Sequence, residues 1–135
     1  MALQLSVAVR NARLDAIEAA IGASAVLKIR TGSAPANCAA ADSGTVLATL
    51  TLPADWMAAA AAGAKALLGT WQDASAANTG TAEHFRIYAS DGTTCGLQGT
   101  VTATSGGGDL ELVTTSIVAA QPVLVTAFTL TDANA

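Results

Sequence analysis

The sequence has 135 residues, of which 12% are charged, and its formal net charge is −4. A chain of this length fits one domain with its own core. Its basic residues are scattered, so the basic patch of a nucleic-acid-binding protein is missing. Charged residues or glycines interrupt every long apolar stretch, so we expect neither a signal peptide nor a membrane partner.

The first predicted element is a helix over residues 6–21. Ser6 is a suitable N-cap, and Gly22 is a suitable stop after the last turn. The apolar stripe of this helix consists of Val9, Leu14, Ile17 and Ile21. A helix with one apolar stripe must dock on another surface, which is either its own domain or a second chain.

From residue 25 onward the sequence has the periodicity of strands. Strand-like segments follow one another at short spacing, and the Asp91-Gly92 pair predicts a hairpin. We count about seven or eight strands, a pattern typical of a β-sandwich or jelly roll. The prediction is therefore an all-β fold in one domain (residues 1–135), with an N-terminal α-helix (6–21) and a β-sandwich (25–132).

The segment TLPADWMAAAAAGAKALLGTW, residues 51–71, is ambiguous. Alanine favours a helix, but Gly63 interrupts the alanine run, and the flanking segments are strands. We therefore predict a strand at residues 64–72 in preference to a helical turn. Residues 58–62 are then a close-packed or partner-covered approach to that strand.

No catalytic or metal-binding motif is apparent. His84 is the only histidine, and we expect it to face solvent from a strand. Cys38 and Cys95 lack CxxC spacing, so we expect free, partly buried thiols, with a disulfide as the open alternative. The glycine-rich segment 105–109 is interpreted as a flexible turn. We predict no enzymatic activity, no cofactor and no metal.

Five residues are candidates for a protein interface: Arg10, Arg13, Trp56, Met57 and Trp71. Tryptophans serve as core residues, as interface anchors or as stacking platforms for sugars, and we favour Trp56 as an interface anchor. The two arginines could contact acidic residues of a partner. Alternatively, they pair within the chain with Asp15, Glu18 or Asp109.

Three segments carry a resemblance to a known family. The first is R-N-x-R-L-D-x-I at residues 10–17, and the second is G-T-x-x-x-F-R-I at residues 80–87. The third comprises Thr115, Ser116, Ile117, Ala119, Val125, Thr126 and the F-T-L-T of residues 128–131. Together they resemble a widespread family of small tailed-bacteriophage proteins that are mostly encoded among virion structural genes. Gln121-Pro122 departs from the pattern, since relatives commonly have glycine there.

The resemblance implies a non-enzymatic component of a phage particle. We expect a head decoration or cement protein on the capsid surface, made in the bacterial host cytoplasm. Its expected partners are the major capsid protein and further copies of itself, as a dimer or trimer, because many copies multiply a modest contact. The alternatives are a tail, neck or fibre-associated virion protein and a carbohydrate-binding module for host attachment.

Overall fold

The computed structural model describes residues 3–133 and consists mostly of strands, with one helix near the N-terminus. The elements in chain order are α1 (Val7–Ile21), β1 (Val26–Arg30), β2 (Val46–Thr51), β3 (Ala64–Ala66), β4 (Gln72–Asp73), β5 (Gly80–Thr81), β6 (His84–Tyr88), β7 (Cys95–Ala103), β8 (Leu110–Leu112), β9 (Ser116–Ile117) and β10 (Val123–Thr131). The predicted all-β fold with an N-terminal helix is confirmed.

A curled mixed sheet of eight strands forms the body of the molecule. Its strand order is β2-β1-β6-β7-β8-β10-β3, and β4 pairs with β10 beside this path. The remaining strands, β5 and β9, form a separate two-stranded ribbon. The curl brings distant strands together around one core, since Phe85 of β6 contacts Phe128 of β10 with ring centroids 5.6 Å apart.

The two faces of the β1–β6 pair differ in chemistry. Leu27 lies opposite Ile87, and Ile29 lies opposite Phe85, and all four side chains belong to the core. The alternate positions place polar side chains on the other face, where Arg30 lies opposite His84. Because side chains alternate along a strand, the same pairing builds the core and a polar layer behind it.

The hairpin predicted at Asp91-Gly92 is confirmed, because it joins the antiparallel strands β6 and β7. The Asp91 carboxylate accepts hydrogen bonds from the backbone N–H groups of Thr93 and Thr94. These bonds and one from the Thr94 hydroxyl, which has the largest effect, lower the pKa of Asp91 to about 2. The turn is therefore held by its own carboxylate.

The alanine-rich segment forms no helix. Its backbone folds back on itself, with Ala61 and Ala64 exchanging hydrogen bonds across a turn at Ala62 and Gly63, both of which have positive φ. The predicted strand over residues 64–72 is only partly correct. It is divided into β3 and β4, which pair with different parts of β10.

The glycine-rich segment 105–109 forms the predicted turn, and its glycines pack closely against β7. It connects β7 to β8, which lie parallel, and Gly106 and Gly108 both contact Thr102 closely. A Cβ atom added at Gly106 would lie 2.7 Å from the Thr102 side chain. The Gly108 N–H also donates a 2.9 Å hydrogen bond to Thr102 Oγ1. Only glycine fits this doubling back of the chain.

Helix α1 begins and ends where the sequence predicts. Ser6 Oγ accepts a hydrogen bond from the Val9 N–H, and Gly22 ends the helix with a φ of 96°. Leu14 and Ile21 are buried, as expected of the apolar stripe, whereas Val9 is 47% exposed. The stripe therefore docks on the chain's own sheet through its central and C-terminal residues.

Candidate functional site

The R-N-x-R-L-D-x-I segment, residues 10–17, attaches the helix to the rest of the same chain. Arg10 Nη1 donates a 2.9 Å hydrogen bond to the backbone oxygen of Asp132, and Arg13 Nε lies 3.2 Å from the Asp132 carboxylate. Asn11 Oδ1 accepts a hydrogen bond from the Gly63 N–H. Both arginines thus pair within the chain, with a partner that the sequence did not suggest.

Lys65 is the centre of a second attachment. Its ammonium is buried and lies 2.7 Å from Asp15 Oδ1 and 2.9 Å from Glu18 Oε2. Burial disfavours the charged ammonium, but the hydrogen bonds to these two carboxylates outweigh it and raise the pKa of Lys65. A lysine held protonated has no free electron pair, so it acts here as a structural cation and not as a base or nucleophile.

The two carboxylates respond to Lys65 in the same direction. The hydrogen bond from Lys65 lowers the pKa of Asp15 below its usual value. Burial raises the pKa of Glu18, but hydrogen bonds from Lys65 and the Met57 N–H outweigh it, so the net shift is also downward. All three groups are therefore charged at neutral pH.

Trp56, Met57 and Trp71 are core residues, with exposed fractions of 0%, 1% and 0%. Trp56 Nε1 donates to the Gly22 carbonyl at 2.9 Å, and Trp71 Nε1 donates to the Trp56 carbonyl at 3.1 Å. The expectation that Trp56 anchors an interface therefore does not fit the structure. The tryptophan has no surface left for a partner, because the helix end and the core cover it.

The aromatic residues also provide no platform for a sugar. The sequence has two tryptophans, two phenylalanines and one tyrosine, and all of these side chains are buried. A stacking site needs an aromatic face that is open to solvent. This arrangement gives the carbohydrate-binding alternative no support.

The G-T-x-x-x-F-R-I segment, residues 80–87, holds the loop over residues 31–45 against the polar face of the sheet. Arg86, from the F-R-I of this motif, is buried, and its Nη1 donates a 2.6 Å hydrogen bond to Asp42 Oδ1. Arg30 Nη2 contacts Asp42 Oδ2 at 2.8 Å, and the Tyr88 hydroxyl donates to Asp42 Oδ1 at 2.7 Å. One carboxylate thus pairs with two buried guanidinium groups, and its single negative charge offsets part of their positive charge.

The pKa values in this cluster follow from burial and pairing. Burial raises the pKa of Asp42, but hydrogen bonds from Tyr88 and Arg86 and the charge of Arg30 outweigh it and lower the pKa overall. Burial, followed by the hydrogen bond to Asp42, raises the pKa of Tyr88. The cluster is an ion-pair network that fastens the loop over residues 31–45, and within residues 3–133 the buried Arg30 Nε has no hydrogen-bond partner.

The expectation that His84 faces solvent is wrong, because the side chain is only 1% exposed. Its Nδ1 lies 2.6 Å from the Gly32 carbonyl oxygen, and its Nε2 has no hydrogen-bond partner among residues 3–133. The loop after β1 covers the polar face on which His84 lies. Among residues 3–133, His84 therefore has no hydrogen bond to the nucleophilic side chain that a catalytic dyad needs.

Cys38 and Cys95 lie side by side although they are distant in the sequence. Their Sγ atoms are 2.7 Å apart, and both residues are half-buried free cysteines. The predicted partial burial is confirmed, and the structure also brings the two sulfurs together.

The segment 80–87 and the third segment of the resemblance, residues 115–131, meet in the two-stranded ribbon. Gly80 of β5 lies opposite Ile117 of β9, and Thr81 lies opposite Ser116. The Ala119 N–H adds a 2.9 Å hydrogen bond to Thr79 Oγ1. These two motifs, separated in the sequence, therefore form one structural unit.

An exposed apolar groove follows the ribbon. We call it the 112–124 groove, and its volume is about 440 Å³. Its lining has no charged residue and consists of Gln72, Leu112, Val113, Thr114, Ser116, Ile117, Gln121, Pro122, Val123 and Leu124. Val113, Val118 and Leu124 are 68%, 45% and 44% exposed. A clustered, uncharged apolar surface is typical of a protein-binding site.

Sequence reasoning missed the three partners that hold these attachments together, which are Asp42, Lys65 and Asp132. A signal was available, because Asp42 is the only charged residue in segment 31–44, and Lys65 is the only one in segment 56–72. An isolated charge in an uncharged segment needs a partner elsewhere in the fold if it is buried.

Within residues 3–133, no group of three or more histidine, cysteine, aspartate or glutamate side chains is placed to hold a metal ion. The helix in that range is too short and too polar to span a membrane.

In comparisons with protein-family models, curated proteins and solved structures, none matches this chain.

Proposed function

We propose that this chain is a structural component of a tailed-phage particle, acting as a decoration or cement protein on the head. It binds the major capsid protein and stabilises the capsid lattice. The setting comes from the resemblance of its three motifs to small phage proteins. The structural observation that supports it is the 112–124 groove, which is apolar, exposed and free of charge.

The groove fits a protein partner better than a small charged ligand. Leu112, Ile117 and Val123 are buried at its base, while Val113 and Leu124 are exposed at its rim. Contact with a partner would remove these rim side chains from water, which favours association by about 25 cal/mol for each Å² buried. Many copies on a lattice multiply such a modest contact.

The low charge of the surface supports the same proposal. Several of the basic side chains are already used within the chain: Arg10, Arg13, Arg30, Lys65 and Arg86 contact acidic side chains or backbone oxygens. An uncharged surface associates more readily with neighbouring subunits than a strongly charged one. The contact with the capsid is therefore expected to be apolar and to depend little on salt.

The location is tested by immunogold electron microscopy of intact particles of the phage that encodes the chain, with an antibody raised against the chain. Dense label over the heads supports the proposal. Label confined to the neck or tail contradicts decoration and favours a tail or neck protein. No label on intact or disrupted particles contradicts a virion role altogether.

The surface is tested by adding purified variants to particles that lack the chain and measuring co-sedimentation. We expect Val113→Glu, in the groove, to reduce binding at least tenfold, because the charge would have to be desolvated. Val9→Glu is the matched control, since Val9 is an exposed valine on the helix, away from the groove lining. Loss of binding only in the control would contradict the groove and identify the helix as the capsid-binding surface.

A further inference from the structure

Cys38 and Cys95 are held together by elements that are far apart in the sequence. Cys95 begins β7 and lies opposite Tyr88 in the β6–β7 pair. Cys38 lies in the loop over residues 31–45, on the polar face of the sheet. Their Sγ atoms are 2.7 Å apart across a sequence separation of 57 residues.

The loop is fixed on both sides of Cys38. Arg86 Nη2 donates hydrogen bonds to the Asn37 carbonyl at 2.8 Å and to the Ala40 carbonyl at 3.1 Å. Gln98 Nε2 donates to the Pro35 carbonyl at 2.6 Å. The strands β6 and β7 therefore hold the loop in the position that brings the two thiols together.

We propose that Cys38 and Cys95 form a reversible intramolecular disulfide, which covalently fastens the loop over residues 31–45 to strand β7. The oxidant is a small-molecule disulfide such as oxidised glutathione. Both thiols are half-buried, so a small oxidant can reach them. This disulfide is a property of the chain itself and does not depend on the proposed role in a phage particle.

The reaction proceeds by two thiol–disulfide exchanges. In the first, the Cys38 sulfur attacks oxidised glutathione, forms a mixed disulfide and releases one glutathione, which takes the Cys38 proton. In the second, the Cys95 sulfur attacks the Cys38 sulfur and releases the second glutathione, which takes the Cys95 proton. The two thiols lose two electrons, and these reduce one glutathione disulfide to two glutathione thiols.

The second exchange is favoured by the placement of the two sulfurs, which are held side by side. Burial, together with the hydrogen bond to Cys38, raises the pKa of Cys95 to about 12. A thiol that resists ionisation reacts slowly in solution, because the thiolate is the attacking species. The short distance between the sulfurs offsets this, because the mixed disulfide is resolved within the same chain.

The experiment uses the purified full chain, incubated with an excess of either reduced or oxidised glutathione. Peptide mapping without reductant, read by mass spectrometry, should recover a Cys38–Cys95 linked peptide only after oxidation. The linkage closes a long loop and should raise the melting temperature by about 10 °C. Dithiothreitol should reverse both changes.

The single variants Cys38→Ser and Cys95→Ser are the controls, and neither should show the oxidation-dependent rise in melting temperature. Glutathione adducts or linkages between two chains, without the intramolecular peptide, would overturn the proposal. If a variant fails to fold, the peptide map of the wild-type chain still decides the question. A map in which both cysteines remain free after oxidation would also overturn it.

Discussion

At the scale of single residues, Lys65 connects the helix to the body through two carboxylates. Replacing Lys65 with Met keeps much of the side-chain volume but removes the buried cation between Asp15 and Glu18. We expect Lys65→Met to lower the free energy of unfolding by about 2 kcal/mol, measured by urea denaturation.

Arg13 provides the matched control for this prediction. Its side chain is 61% exposed, and its ion pair with Asp132 is open to water. Arg13→Ala should therefore cost less than about 1 kcal/mol. Equal losses in the two variants would show that burial of Lys65 does not strengthen its contribution.

Asp55 is a residue whose charge opposes the fold. Its hydrogen bond with Glu18 is the main reason that the pKa of Asp55 is raised. A raised folded-state pKa means that stability is present at low pH and is lost as the pH rises through that pKa. Asp55→Asn should therefore have a higher melting temperature than the wild type at pH 7, and the difference should vanish near pH 3.

The hairpin carboxylate Asp91 is the control with the opposite sign. Its pKa is lowered to about 2 by hydrogen bonds within the turn, so its charged form stabilises the fold. Asp91→Asn should lower the melting temperature at pH 7. A stabilisation by both substitutions would contradict the assignment of these opposite electrostatic roles.

Trp56 also belongs to this scale, because the structure makes it a core residue. We expect Trp56→Ala to lower the free energy of unfolding by about 3–5 kcal/mol, since it leaves a cavity and removes the donor to the Gly22 carbonyl. Trp56→Phe should cost less, because it retains an aromatic ring. Guanidinium denaturation measures both, and an alanine variant of wild-type stability would show that Trp56 is not a core residue.

At the scale of elements, the helix and the alanine-rich turn depend on each other. Gly63 has a φ of +76°, and a Cβ atom added there would lie 2.6 Å from Arg10 Nη1 and 3.0 Å from the Asp132 carbonyl oxygen. We expect Gly63→Ala to lower the free energy of unfolding by about 2 kcal/mol or more, from backbone strain and displacement of the helix contacts. Thermal or urea denaturation measures the loss.

Gly92→Ala separates these two causes. Gly92 has a similar φ of +71° but open space where the Cβ atom would lie. The free energy of unfolding of Gly92→Ala should therefore fall only by the cost of backbone strain, about 1 kcal/mol. If Gly92→Ala were as destabilising as Gly63→Ala, the contacts with Arg10 and Asp132 would contribute nothing.

Elements that have capping or turn residues at their ends were predicted well from the sequence. The helix has a capping serine and a terminal glycine, and the β6–β7 hairpin has Asp91-Gly92, so both follow from neighbouring residues. The alanine-rich segment lacks such a signal. Its conformation depends on pairing with β10 and on contacts with α1, which local propensity does not contain.

The candidate site was less predictable for the same physical reason. The roles of Trp56 and His84 depend on burial, and burial is created by the helix end and by the loop over residues 31–45. The pairing of Cys38 with Cys95 likewise depends on where that loop lies. A single sequence gives the chemical types of these residues but not the tertiary contacts that determine their roles.

At the scale of the whole molecule, three acidic residues in ion pairs add to the acid sensitivity that Asp91 already confers. The pKa values of Asp15, Glu18 and Asp42 are all lowered, from ordinary values of 3.8, 4.5 and 3.8. Lowered folded-state pKa values stabilise the fold above the ordinary values, and this stability is lost as the pH falls through the folded-state values.

We therefore expect the free energy of unfolding to be nearly constant between about pH 8 and pH 5 and to fall steeply below about pH 4. Urea denaturation across this range measures the profile. Asp42→Asn should be less stable than the wild type at neutral pH, and its free energy of unfolding should fall less on acidification. A profile that is flat to pH 3 would contradict the ion-pair roles of these carboxylates.

The attachment of the helix also has a consequence for protein synthesis. Arg10 bonds to Asp132, which is translated 122 residues later. An isolated helix of this length is only marginally stable in water. During translation the helix can reach Gly63 and Lys65 before it can reach Asp132, so its attachment is completed only after β10 has been made. A nascent chain arrested before β10 would consequently lack the contacts of Arg10 and Arg13 with Asp132.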